Sequence, residues 1–171
     1  YNSVSRKWER LNKLTGAWEC EHSPLGETRE QLISRYGIPK WKFGDAEGFC
    51  SYSDPPCRII AFEKDNFALK FQLYNEKAEY VEIINFSAPF KKEEVQDWLN
   101  VFSVGGSPYE RLHLKDDESQ CCKCGLEDPL TMNVYETPDH RQTAFWHKNG
   151  SLFIASSNYF KITSSDTWWR K

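Results

Sequence analysis

No run of apolar residues in this chain approaches the roughly 20 that a membrane-spanning helix needs, so no transmembrane segment is expected. Neither sign of charge dominates: 22 Lys and Arg stand against 25 Asp and Glu, for a net charge of −3. A nucleic-acid footprint requires a basic excess gathered on one face, and none is visible, so no nucleic-acid partner is expected. The basic pair Lys91-Lys92 is followed at once by Glu93-Glu94 and reads as a solvated helix start. A glycine-rich phosphate cradle is missing too, since Gly105-Gly106 reads as a helix stop. There is one methionine, and the four histidines are too few to make a nucleophile–base pair an expectation. The carboxylates fall in runs such as Asp116-Asp117-Glu118, which read as solvated faces.

What the chain does have is aromatic mass. Seven Trp, eight Tyr and eleven Phe make up 15% of 171 residues, so a sizeable core can form although only 39% of the residues are hydrophobic. The length suits a single compact domain over 1–171, or two halves, 17–88 and 89–171, preceded by an N-terminal helix at 3–15. The first residue is Tyr1 with no signal-like apolar region after it; a removed signal peptide or a trimmed start would look the same.

Six cysteines, an even number, favour an oxidised framework and therefore an exported protein, periplasmic or secreted, with the cytoplasm not excluded. Cys50 and Cys57 flank the turn-rich stretch Ser53-Asp54-Pro55-Pro56, which can bring their α-carbons within disulfide reach. The connectivity of Cys20, Cys121, Cys122 and Cys124 stays open. Cys121 and Cys124 have the two-residue separation of a zinc knuckle, with His113 upstream, but no fourth ligand with defined spacing. No cofactor is expected, and zinc at Cys121, Cys124 and His113 is the alternative. The sequons at Asn85 and Asn149 decide nothing.

Along the chain, Val4, Trp8, Leu11 and Leu14 share a helical face that Gly16 ends. Thr28 with Gln31 three residues on is a capping-box pattern; Leu32, Ile33 and Tyr36 give the buried face, and Gly37 and Pro39 stop the helix. Phe67, Leu69, Phe71 and Leu73 alternate with Ala68, Lys70, Gln72 and Tyr74, the period of a strand with one apolar face. Arg58–Glu63 and Glu79–Phe86 read as its antiparallel neighbours. Val95, Trp98, Leu99 and Phe102 form one helical stripe. Strands are expected again at Met132–Glu136 and in a Gln142–Ser156 hairpin turning at Asn149-Gly150, after a polar, irregular stretch at 115–129. The fold class is thus α+β, with helices packed on one face of an antiparallel meander and helix-then-meander occurring twice.

The stretch Leu25-Gly26-Glu27-Thr28-Arg29-Glu30-Gln31-Leu32, followed by Tyr36-Gly37-Ile38-Pro39, resembles the Gly-X-Thr, Gln-Leu/Val, Gly-X-Pro pattern of the SmpA/OmlA-type outer-membrane assembly lipoproteins. It is also similar to the tandem-repeat β-lactamase inhibitor proteins. The resemblance implies a helix packed on an antiparallel sheet, in a module that binds other proteins; it transfers no binding residue, and the lipid-anchor cysteine of the lipoproteins has no counterpart at the start. The second half, Glu93–Phe102 and the Trp146–Ile154 hairpin, looks like domains of uncharacterised exported bacterial proteins.

The functional expectation is a non-enzymatic exported module that binds another protein or a ligand, with Trp146, Trp168, Trp169 and Tyr159 as candidate binding residues. The alternative is a small hydrolase or metal-dependent enzyme whose site residues converge only in the fold. An exposed aromatic face would favour the first, a deep pocket where titratable groups meet the second.

Overall fold

The computed structural model describes residues 23–50, 55–102, 109–111, 132–147, 150–167 and 169. The helix expected at 3–15, the 115–129 excursion, Cys20, Cys121, Cys122, Cys124, His113, Asn149 and Trp168 lie outside them.

The chain is an α+β protein built on one antiparallel sheet. Strands β1 (Glu47–Phe49), β2 (Arg58–Lys64), β3 (Phe67–Tyr74) and β4 (Lys77–Asn85) form a meander. Strands β5 (Glu110–Arg111), β6 (Met132–Glu136), β7 (Gln142–His147) and β8 (Leu152–Ser156) form a second. The strand order β1-β2-β3-β4-β8-β7-β6-β5 sets the last strand of each meander side by side at the centre. Helix α1 (Arg29–Tyr36) precedes the first meander and helix α2 (Lys92–Val101) the second.

Local chemistry accounts for these boundaries. Thr28 Oγ1 accepts the Gln31 backbone N–H at 3.3 Å, and Gln31 Oε1 accepts the Thr28 N–H at 2.9 Å, closing the capping box that opens α1. Gly37 ends it at φ 92°, a conformation that a residue with a Cβ adopts only under strain. The β3–β4 hairpin turns tightly between the paired residues Tyr74 and Lys77, with both turn residues, Asn75 and Glu76, in the left-handed region. The α2 stripe is fully used, since Val95, Trp98, Leu99 and Phe102 are all buried.

One face of the sheet carries the main core. Phe67, Leu69, Phe71 and Leu73 of β3 and Val81 and Ile83 of β4 meet Leu32 of α1, the α2 stripe, and Ala144, Trp146, Leu152 and Ile154 of the second meander in a single cluster. The rings of Tyr36 and Phe62 lie 5.5 Å apart, which seats α1 on β2.

The opposite face holds a smaller layer that the sequence pattern does not announce. Helix α3 (Ser157–Thr163) starts where Ser156 Oγ accepts the Tyr159 N–H at 3.0 Å. It lays Phe160 and Tyr159 across β4, β8 and β7. Tyr80 stacks on Tyr159 at 4.8 Å, and Phe160 meets Trp169 at 5.0 Å. Trp169 is held from the sheet side as well: its Nε1 donates to Glu136 Oε2 at 2.9 Å. That carboxylate, buried on β6, also takes the Thr143 hydroxyl at 2.9 Å and pairs through Oε1 with His140.

Candidate functional site

The sequence-selected residues fall in different places. Trp146 is buried in the main core and Trp169 in the smaller layer on the other side of the sheet. Tyr159 is half-buried between Tyr80 and Tyr74. Trp146 and Trp169 therefore share no surface. A disulfide joins Cys50 and Cys57, with α-carbons 5.2 Å apart, at the end of the β1–β2 pair. The Cys50 N–H donates to the Cys57 carbonyl at 2.9 Å, so the bridge extends the hairpin ladder. Among the described residues, no group of three His, Cys, Asp or Glu side chains is placed to hold a metal ion.

Two features remain as candidates. The first is a cluster of rings that reaches solvent. The segment after α1 runs along β2, with the Lys40 N–H bonded to the Ala61 carbonyl at 2.9 Å and the Lys42 N–H to the Glu63 carboxylate. This anchoring holds Trp41 and Phe43 over the face of the first meander that α1 and α2 leave open. Trp41, Phe43 and Phe86 meet pairwise at 5.4, 5.8 and 5.7 Å. Phe43 is 70% exposed despite its ring contacts. Two lysines complete the cluster: Lys42 Nζ lies 3.9 Å from the Phe86 ring centre, and Lys70 Nζ 5.2 Å from that of Trp41. Phe49, 74% exposed, stands apart on the edge strand β1, against Arg58.

The second is a polar cleft of about 400 Å³ where the approach to α1 meets β4, β7 and the start of α3. Its lining includes Ser23, Glu27, Gln31, Glu79, Gln142 and Ser156. Most of these groups are engaged. Glu27 is buried against Arg35, which forks onto both its carboxylate oxygens. Gln142 Oε1 accepts the Tyr109 hydroxyl. Glu79 is different. It sits where the β3–β4 register slips, Gln72 facing Tyr80 but Leu73 facing Ala78, so it is the extra residue of a bulge. The bulge turns its side chain inward, leaving it 5% exposed. Burial pushes the Glu79 carboxyl above the usual range, opposed by hydrogen bonds from Asn158 and Ser156 and by the charge of Lys77. Its Oε2 has no hydrogen-bond partner.

Sequence reasoning named neither feature. Nothing in the sequence Lys40–Phe43 distinguishes an exposed ring from a core one. No sequence pattern marks a bulge at Glu79.

No family model matches the chain, and no curated protein does. Among solved structures, a cysteine-rich secretory protein from Staphylococcus aureus aligns at 14% identity and a TM-score of 0.43, covering 83% of this chain and 50% of that one. An extracellular protein containing an SCP domain from Bacillus anthracis aligns at 13% identity and a TM-score of 0.45, covering 81% of this chain and 46% of that one. The chain thus spans about half the length of each. At this level of likeness neither fold nor function passes from those proteins to this chain.

Proposed function

We propose that the chain is an exported, non-enzymatic binding module that docks another protein through the Trp41–Phe43–Phe86 cluster. The observation that carries this reading is Phe43: a large ring, 70% exposed, that packs against two other rings. Pre-ordered aromatic side chains on an open sheet face lose little entropy on docking and present large apolar area, the character of interface anchors. The flanking Lys42 and Lys70 favour a partner with an apolar pocket rimmed by acidic groups. A helix followed by an antiparallel meander, twice in one chain, supports the same reading through the resemblance of the first helix, with its capping box, to protein-binding modules. The Cys50–Cys57 bridge supports export, because such bonds persist in oxidising compartments.

The test compares what the wild-type chain and a Phe43→Ser variant capture from the exported fraction of the native host. One partner retained by the wild type and lost with Phe43→Ser, while the variant's thermal unfolding is unchanged, is the expected result. An identical capture pattern for both chains would remove the cluster from the interface. Reproducible turnover abolished by changing a cleft residue would replace the binding reading with an enzymatic one.

A further inference from the structure

The cleft beside Glu79 carries chemistry of its own, and none of its lining residues belongs to the ring cluster. A buried carboxylate oxygen without a donor is costly, and proteins leave few of them. None of the neighbouring charged groups donates to that oxygen. The Arg35 guanidinium is engaged by Glu27 in a buried pair. Arg141, at the cleft rim, is paired with Asp139 at 3.1 Å. Lys77 lies on the exposed end of β4 and acts on Glu79 through its charge.

Other acceptors of the lining are occupied from within the chain. Gln31 Oε1 takes the Thr28 N–H, Ser23 Oγ takes the Leu25 N–H, and Ser156 Oγ takes the Tyr159 N–H. The unmet demand is therefore for one donor, at Glu79 Oε2, inside a cleft large enough for a short chain of heavy atoms. A positive charge on that donor would also offset the carboxylate's lost hydration, which a neutral N–H or O–H does less well.

We propose that this cleft binds a primary ammonium group, with Glu79 Oε2 as the acceptor that fixes it. Two sources present that chemistry, a free aliphatic amine and a lysine side chain on a peptide.

The test uses the full chain labelled with ¹³C at glutamate carboxyls and ¹⁵N at the backbone. One arm adds n-butylammonium, another the peptide acetyl-Gly-Lys-Gly-amide; n-butanol and the lysine-acetylated peptide are the neutral controls. At about 10 mM, where a ligand of a few heavy atoms can occupy such a site, each charged probe should shift the Glu79 carboxyl and the Gly26, Ser156 and Ser157 amides. The neutral controls should not. Tighter binding in one arm identifies the source. Affinity should fall about tenfold or more in Glu79→Gln. In the wild type it should also weaken as pH drops through the Glu79 titration, because a proton must leave before the ammonium binds.

No shift at Glu79 with either charged probe, equal shifts with the neutral controls, or an unchanged affinity in Glu79→Gln would each overturn the proposal. If Glu79→Gln does not fold, the wild-type pH profile decides, and a pH-independent affinity overturns it. Loss of the capture signal with Phe43→Ser leaves these outcomes untouched, so the two readings fail separately.

Discussion

Glu79 sets a stability cost that can be measured without any ligand. Its carboxyl is held above the ordinary value of 4.5, first by burial. A carboxyl raised on folding makes the unfolded chain the stronger acid, so stability is fully present below the ordinary value and falls as pH rises through the folded one. Glu79→Gln removes that dependence. The variant should match the wild type near pH 3 and be the more stable of the two at about pH 7, with the gap opening from the ordinary carboxylate range upward. Urea unfolding across that range checks it, and a gap that instead widens toward acid would show that Glu79 is stabilising as an anion. Glu47 illustrates the opposite sign on the same protein. Its hydrogen bond from Arg29 holds it below the usual range, so its small, solvent-screened contribution is present above the ordinary value and lost in acid. Because the two carboxyls pull in opposite directions, only the comparison with the variant isolates Glu79.

Elements whose pattern is carried by their own side chains were legible in the sequence; those imposed by neighbours were not. Strand β3 shows its period-two face in Phe67, Leu69, Phe71 and Leu73, and α2 shows its stripe, because each buries a full row of large apolar groups. Strand β1 has only Glu47, Gly48 and Phe49 and exists because β2 and the adjacent disulfide hold it. Helix α3 has one buried side chain, Phe160, and its opening Ser-Asn reads as a strand end. The exposed cluster was illegible for a related reason: ring type says nothing about which side of the sheet Trp41 occupies. The disulfide makes a definite prediction at this scale. Closing a seven-residue separation restricts the unfolded chain by an amount worth about 2–3 kcal/mol. Replacing Cys50 and Cys57 together by Ser should lower stability by about that much, and the Gly48 and Phe49 amides should lose their protection from hydrogen exchange first. Intact mass after alkylation, with and without reductant, should show at least two more free thiols on reduction. If the unreduced chain alkylates at all six cysteines, the bridge and the export argument resting on it both fall.

At the scale of the molecule, the question is whether the two meanders are one cooperative unit. They meet only a short ladder of strand pairs at the seam, Tyr80 with Ala155, Val81 with Ile154, Glu82 with Phe153 and Ile83 with Leu152. Backbone pairing of that length would be a weak joint by itself. The side chains make it a strong one. Val81, Ile83, Leu152 and Ile154 are all at 0% exposure and share one cluster with Trp98, Leu99 and Phe102 of α2, so the main core crosses the seam instead of stopping on either side. On the other face, Tyr80 of the first meander stacks on Tyr159 of α3, which follows the second. A cavity at the seam should therefore weaken both meanders equally. Ile154→Ala removes a buried side chain and should cost about 2–5 kcal/mol. Native-state hydrogen exchange reads the partition: the β2–β3 amides and the β6–β7 amides should lose protection by the same amount and converge on one global unfolding free energy. If the β6–β7 amides lose protection while those of β2–β3 keep theirs, the meanders unfold independently and the continuous core does not couple them.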